Sequence, residues 1–140
     1  MKNINIALLV YDISLTGGAE RVALNLATEF SDLYETHLIS LFDERNIFEN
    51  IYPFNTCVLF RQTVSISLNL LSLSCKLRRY IQKNKINVLV SITAGVVTVA
   101  NFATAKTNVQ VIYAEHSNLE NKTYGKKHEF RQLIGAKFSD

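Results

Sequence analysis

The sequence predicts an α/β fold, a doubly wound and mostly parallel sheet, on three observations. Its strand candidates are short continuous apolar runs, as expected of strands buried on both faces. They alternate with segments of helical apolar spacing, and a Gly-Gly pair and polar stretches punctuate the changes.

Residues 5–11 (NIALLVY) are the first such run and predict a strand. Thr16-Gly17-Gly18 breaks the pattern, and from Ala19 the apolar residues fall at 19, 22, 23, 26, 27 and 30, one face of a helix that Ser31-Asp32 ends. Residues 36–42 (THLISLF) predict the second strand. Residues 43–54 are polar, carry the single proline, Pro53, and predict a loop before a third short strand at 56–60. From Ser65 the spacing is helical again, with Ile66, Leu70, Leu73, Leu77 and Ile81 in one stripe. Lys76, Arg78, Arg79, Lys83 and Lys85 crowd the end of that helix, where cations complement the helix dipole. Residues 88–92 (VLVSI) predict a fourth strand, about 96–105 a helix, and 109–114 (VQVIYA) a fifth strand, before a last helix carrying Phe130, Leu133 and Ile134. The order β-α-β-β-α-β-α-β-α predicts the strand order 3-2-1-4-5. In such sheets ligands bind beyond the carboxyl ends of the strands where the winding reverses, which brings the loops at 12–18, 93–95 and 115–118 to one edge.

With 140 residues, 48% hydrophobic and 19% charged, the chain has the size and composition of a single globular domain. It buries roughly 70% of the surface its unfolded form exposes, so it needs no disulfide or metal staple. Cys57 and Cys75, in apolar stretches without C-x-x-C spacing, read as reduced core thiols. The net charge of +3 conceals an asymmetry: residues 1–70 hold four Lys/Arg against eight Asp/Glu, and residues 71–140 hold eleven against four. A basic half of this kind suits a phosphorylated substrate, an anionic membrane surface or nucleic acid, and equally a solvated face. Nucleic-acid binding has only the basic residues in its favour, with no aromatic interleaving and no known module. Asp12 and the Gly-Gly-Ala-Glu run argue against a signal peptide. Residues 86–105 are uncharged over 20 positions, long enough to span a bilayer. However, Asn87, Ser91, Thr93, Gly95, Thr98 and Asn101 interrupt the stretch, and its change from β-branched to small residues reads as a strand, a turn and a buried helix.

Two constellations carry chemistry. Thr16-Gly17-Gly18 delivers glycines to a helix start, where backbone N–H groups and the dipole favour an anion such as phosphate. The alternative is a tight strand-to-helix turn with Glu20 as the capping carboxylate. Neither G-x-G-x-x-G nor a P-loop is present. Glu115-His116-Ser117-Asn118 follows a buried strand and combines donors, acceptors and a group that titrates near neutrality. By itself His116 reads equally well as a hydrogen-bonded structural histidine. The spacing of His37 and His128 gives no zinc pattern, and no G-x-S-x-G elbow occurs.

The first strand followed by Thr16-Gly17-Gly18-Ala19-Glu20-Arg21-Val22 and Asn25-Leu26-Ala27 resembles the opening of glycosyltransferase family 4. Independently, Val111-Ile112-Tyr113-Ala114-Glu115-His116-Ser117-Asn118 is similar to that family's strand-then-His segment. The resemblance covers nearly the whole chain. It implies a Rossmann-like doubly wound sheet, the N-terminal, acceptor-side half of a GT-B fold, in which two such domains face each other across a cleft. By resemblance Thr16, Gly17 and Gly18 approach the donor diphosphate, with Thr93 and Gly95 on the same edge. His116 is then the catalytic candidate beside the sugar, with Glu115, Ser117 and Asn118 around it. The implied chemistry is transfer from a nucleotide-sugar to a lipid-linked or polysaccharide acceptor, with retention at the anomeric carbon, no cofactor and no catalytic metal; the sequence holds no D-x-D pair. Two further expectations follow: residues 1–140 form an incomplete N-terminal domain inactive without a C-terminal donor-binding domain, and the protein works in the cytoplasm, peripherally at the inner face of the membrane. The competing reading is a non-enzymatic α/β domain that binds a phosphorylated ligand or a partner chain through the Gly17-Gly18 helix start.

Overall fold

A computed structural model of the chain describes residues 4–15, 17–49 and 51–114. Five strands, β1 (Asn5–Asp12), β2 (Glu35–Phe42), β3 (Asn55–Phe60), β4 (Val88–Ser91) and β5 (Gln110–Tyr113), form one sheet in the order β3-β2-β1-β4-β5. Every pairing is parallel, as the apolar strand runs predict. Helices α1 (Gly18–Ser31), α2 (Ile66–Lys83) and α3 (Ala94–Thr104) cover the two faces, and a short 3₁₀ turn at Ile47–Glu49 precedes β3.

The strand period of two explains why β1 is apolar throughout. Ala7 and Leu9 enter the core beneath α2 and α3, while Leu8 and Val10 enter the core beneath α1. On β2, Ile39 and Leu41 join the first core and Leu38 the second. Ala23 and Ala27 are the fully buried residues of α1's apolar face, and Leu73, Leu77 and Ile81 those of α2's stripe. The uncharged stretch at 86–105 resolves into β4, a turn and α3, whose Val96, Val99, Ala100 and Ala103 are buried against the sheet and α2. Among the described residues no helix is long and apolar enough to cross a membrane.

The structure adjusts the sequence expectations in detail. Helix α3 begins at Ala94 rather than about 96, and β5 spans four residues rather than six. The last helix, with Phe130, Leu133 and Ile134, lies outside the described residues. Cys57 is half-buried, and burial pushes its thiol up to about 11, so it stays protonated. Cys75, by contrast, is an exposed thiol and not a core residue, because it lies on the outer face of α2 between the leucines that point inward. Nor is every cation at the end of α2 a solvated charge. Lys76 Nζ donates to the Leu59 carbonyl at 3.1 Å and sits 3.9 Å over the Phe60 ring, and Arg78 donates to the Ala105 carbonyl at 3.0 Å.

At the amino end of β2, His37 is buried; its Nδ1 is 3.0 Å from the Tyr80 hydroxyl. Nε2 lies 3.9 Å from a Glu35 oxygen and has no hydrogen-bond partner. Burial lowers the imidazole's pKa below the ordinary 6.5, and Glu35 only partly offsets this. The unfolded chain therefore takes up the proton first on acidification. Stability is complete above 6.5 and is lost as pH falls through the lower folded value. Thermal unfolding followed from about pH 7.5 to about pH 5 is expected to give a falling Tm, and the His37→Gln variant a flatter dependence. Equal slopes in the two proteins would refute the assignment.

Candidate functional site

The carboxyl edge of the sheet is built around the end of β1. Asp12, buried, accepts hydrogen bonds at one oxygen from the Ser14 backbone N–H (2.9 Å) and hydroxyl (2.6 Å). Its other oxygen faces the Thr63 hydroxyl at 3.4 Å. Ser40, fully buried on β2, accepts from the Ile13 N–H at 2.9 Å and donates to the Phe42 carbonyl. The chain thus leaves β1 through a turn whose buried polar groups are satisfied, which holds the following loop in one place.

That loop brings Gly17 to the N-cap of α1, with extended backbone and no side-chain cap. The two glycines differ. The buried Glu20 carboxylate folds back over the helix start, where a Cβ on Gly17 would stand 2.5 Å from its Oε2 and make that side chain shift. No side-chain cap hydrogen bond joins it to the helix start among the described residues. A Cβ on Gly18 would meet no described atom within 4 Å, and Gly18 has no positive φ, so the described fold does not call for glycine there. Gly17 and Gly18 are exposed at the sheet edge, where the Glu20 carboxylate shares the helix start with the first-turn N–H groups.

Thr93 caps α3, the next helix start on the same edge, also without a side-chain cap bond. Gly95 sits where a Cβ would touch Thr93 Oγ1 and Tyr11 Cδ2 at 3.9 Å, an ordinary contact, and so packs α3 against β1. β1 and β4 are neighbours, yet α1 and α3 cover opposite faces, so the starts of α1 (Gly17, Gly18) and α3 (Thr93, Gly95) flank the switch point. Ser91 ends β4 there, with its buried hydroxyl lacking a partner among the described residues. β5 leaves by the same edge: the Ala114 N–H donates to the Ser91 carbonyl at 2.8 Å. Thr16, Glu115, His116, Ser117 and Asn118 lie outside the described residues, as does His128. His37 belongs to β2 and serves the core, not this edge. Among the described residues no three His, Cys, Asp or Glu side chains come together as metal ligands.

Sequence reasoning missed Asp12, Ser40 and Thr63, which support the site. An Asp two residues before a Ser at a strand end is the signal that reveals the first of them. It also missed an open polar cleft of about 680 Å³ beside this edge, lined by Asp43, Glu44, Asn46, Arg61, Gln62 and Thr63. The loop at 43–54 contributes half of these residues, and nothing in its composition distinguishes a cleft wall from a solvated turn.

An open parallel sheet wound both ways from β1 and β4, with two helix starts at the switch point, defines a Rossmann-like α/β domain of the GT-B glycosyltransferase type. The chain belongs to glycosyltransferase family 4, whose family model matches residues 16–139. Among solved structures it is similar to the apo form of the lipopolysaccharide outer core galactosyltransferase WaaB, with a TM-score of 0.71 and 14% identity over 93% of this chain. It is likewise similar to Anabaena Alr3699/HepE in complex with UDP and glucose, with a TM-score of 0.72 and 17% identity over 97% of this chain. The chain spans 37% and 36% of those two proteins. No curated protein matches it.

Proposed function

We propose that this chain is the acceptor-side half of a glycosyltransferase that moves a sugar from a nucleotide-sugar to a lipid-linked or polysaccharide acceptor, with retention at the anomeric carbon and without a catalytic metal. Gly18 carries the reading: an exposed glycine that no local contact requires, at the first turn of α1, on the edge where the family's donor and acceptor meet. Its N–H and the α1 dipole stabilise the charge that grows on a departing diphosphate as the sugar–oxygen bond breaks. Gly17 precedes that position, and Thr93 and Gly95 begin the next helix on the same edge. The family resemblance assigns Thr16 to the donor diphosphate, His116 to the reacting centre and Glu115, Ser117 and Asn118 to substrate hydroxyls. The HepE complex with UDP and glucose supplies the substrate class by analogy.

A separate donor-binding domain completes the reaction, because positioning donor against acceptor provides much of the rate. The chain alone is expected to transfer no sugar, and the chain joined to that domain to be active. In the joined protein, His116→Ala is expected to lower kcat about 100-fold while leaving the circular dichroism spectrum unchanged. Robust transfer by the chain alone, or an unchanged kcat in the variant, would refute the assignment.

The acceptor class implies work in the cytoplasm against the inner membrane face. The outer face of α2 suits an anionic lipid surface: Leu68 and Leu71 are 88% and 73% exposed, and Arg79 and Lys83 follow on the same helical stripe. Lys85 lies just beyond the helix, and Arg78 is engaged with Ala105. Co-sedimentation with phosphatidylglycerol vesicles is expected to exceed that with phosphatidylcholine vesicles, and to fall with salt and with Leu68→Ser/Leu71→Ser or Arg79→Gln/Lys83→Gln. Binding indifferent to all of these would remove the membrane from the proposal.

A further inference from the structure

We infer that the amino edge of the sheet, opposite the edge that carries Gly17 and Gly18, is a self-complementary surface on which a second copy of this chain docks about a two-fold axis. The inference goes beyond the sugar-transfer reading and does not depend on it, since the pairing leaves the carboxyl edge of both copies open.

Strand register and helix direction build the surface. Asn5 is level with Glu35, and Val88 with Ile6 and Gln110, so four strands begin on one line. Every strand is parallel, so the helices that link them run back and α1, α2 and α3 all end at this edge. Each brings the negative end of its dipole, which a cation offsets. Helix α2 has Lys83 in its last turn and Lys85 just beyond it, and Lys106 follows α3. Lys85 and Lys106 both take a left-handed backbone (φ 51° and 58°), where glycine ends a helix most easily, so each end keeps a cation at a position that favours glycine. Arg78 donates to the Ala105 carbonyl at 3.0 Å and ties these two ends together. Helix α1 differs: its last turn holds no basic residue, and Glu29 and the C-cap Asp32 stand there instead, with Glu35 beginning β2 close by.

The edge is thus divided into an acidic half at the end of α1 and the start of β2, and a basic half at the ends of α2 and α3. Glu29, Asp32, Glu35, Lys85 and Lys106 are all exposed, and among the described residues no ion pair joins the two halves. Apolar side chains are exposed along the same edge: Leu33 by 75%, Ile4 by 42% and Tyr34 by 38%. Phe30 meets the Tyr34 ring edge to face with centroids 6.4 Å apart, and the Asn55 amide donates to Glu35 at 2.7 Å. These groups are held in place before a partner arrives, which lowers the cost of docking. A surface with one acidic and one basic half is complementary to itself, because a two-fold axis along the boundary lays the acidic half of each copy on the basic half of the other. Burial of the apolar side chains then supplies attraction, and the charges fix the orientation. An anionic lipid surface suits only the basic half and is repelled by Glu29, Asp32 and Glu35, whereas a second copy satisfies both. Exposed charge pairs are individually weak, so the expected Kd is on the order of 10–100 µM.

Sedimentation velocity of the untagged chain from about 5 to about 500 µM is the test, in about 50 mM and about 500 mM NaCl. A dimer is expected that weakens at least about tenfold at the higher salt. Glu29→Lys/Asp32→Lys and Lys85→Glu/Lys106→Glu are each expected to weaken self-association at least about tenfold, because each sets like charges against each other. An equimolar mixture of the two variants is expected to recover a mixed dimer of nearly wild-type affinity. The first variant places cations where the α1 dipole favours them, so its Tm is expected to stay at or above that of wild type, which separates loss of the dimer from loss of the fold. A wild-type chain that is monomeric throughout, self-association indifferent to both variants, or no recovery on mixing would overturn the inference. Binding of phosphatidylglycerol vesicles by a monomeric chain, lost in Lys85→Glu/Lys106→Glu, would assign the basic half to lipid and overturn it as well.

Discussion

Gly18→Val in the joined, active protein is expected to lower kcat/KM for the nucleotide-sugar by at least about 100-fold, with a Tm within a few degrees of wild type. Both halves of this expectation come from one feature: a Cβ at 18 would meet no described atom within 4 Å, so the described fold accommodates a side chain there. The space it fills is the approach to the N–H groups of α1, and a branched side chain holds a diphosphate away from them. Gly18→Ala is expected to show a smaller loss. Gly17→Ala is the contrasting substitution, because its methyl displaces the Glu20 carboxylate and acts through the helix start rather than by blocking a ligand. Unchanged donor kinetics in Gly18→Val would mean that no ligand approaches α1, and would favour the reading of the Gly-Gly pair as a turn.

Phe42→Ala is expected to have the largest effect on stability, about 3–5 kcal/mol. Phe42 is fully buried, meets Tyr11 edge to face with ring centroids 5.2 Å apart, and pairs in register with Asp12 and Phe60. Its loss opens a cavity at the carboxyl end of β2, directly beneath the functional edge. Against a total stability of roughly 5–15 kcal/mol this is a large fraction, and it corresponds to a Tm lower by roughly 10–15 °C. Phe42→Leu keeps most of the apolar volume and is expected to lose less. Chemical denaturation and calorimetry measure both; a Tm for Phe42→Ala close to that of wild type would show that the edge does not depend on this packing.

Much of the fold is legible in the sequence because burial on two faces leaves a continuous apolar signature. Residues 5–11 read as a two-sided strand, and Ala7, Leu8 and Leu9 are fully buried against two different cores. The stripe on α2 is equally legible, since Ile66, Leu70, Leu73, Leu77 and Ile81 return to one face every three or four residues. Cys75 shows where such reading fails. It stands in an apolar neighbourhood of the chain but between positions of the stripe, and its exposure follows from helix phase rather than local composition.

What the sequence by itself determined is the order and type of the elements through β5, the parallel character of the sheet and the family, because each is read from apolar runs, spacings and motifs within short stretches. Tertiary structure alone decided which polar residues serve the site. Asp12 and Thr63 are 51 positions apart and face each other only because β1, β2 and β3 end level. The same register brings the 43–46 and 61–63 loops together as a cleft, which neither loop encodes alone. The fold also distinguishes the two glycines, identical in sequence: a Cβ at Gly17 would press on the Glu20 carboxylate three residues on, whereas a Cβ at Gly18 would meet no described atom within 4 Å. Periodicity reports which face of an element is buried, whereas a site depends on which ends of different elements coincide, and that is set by strand register and helix placement.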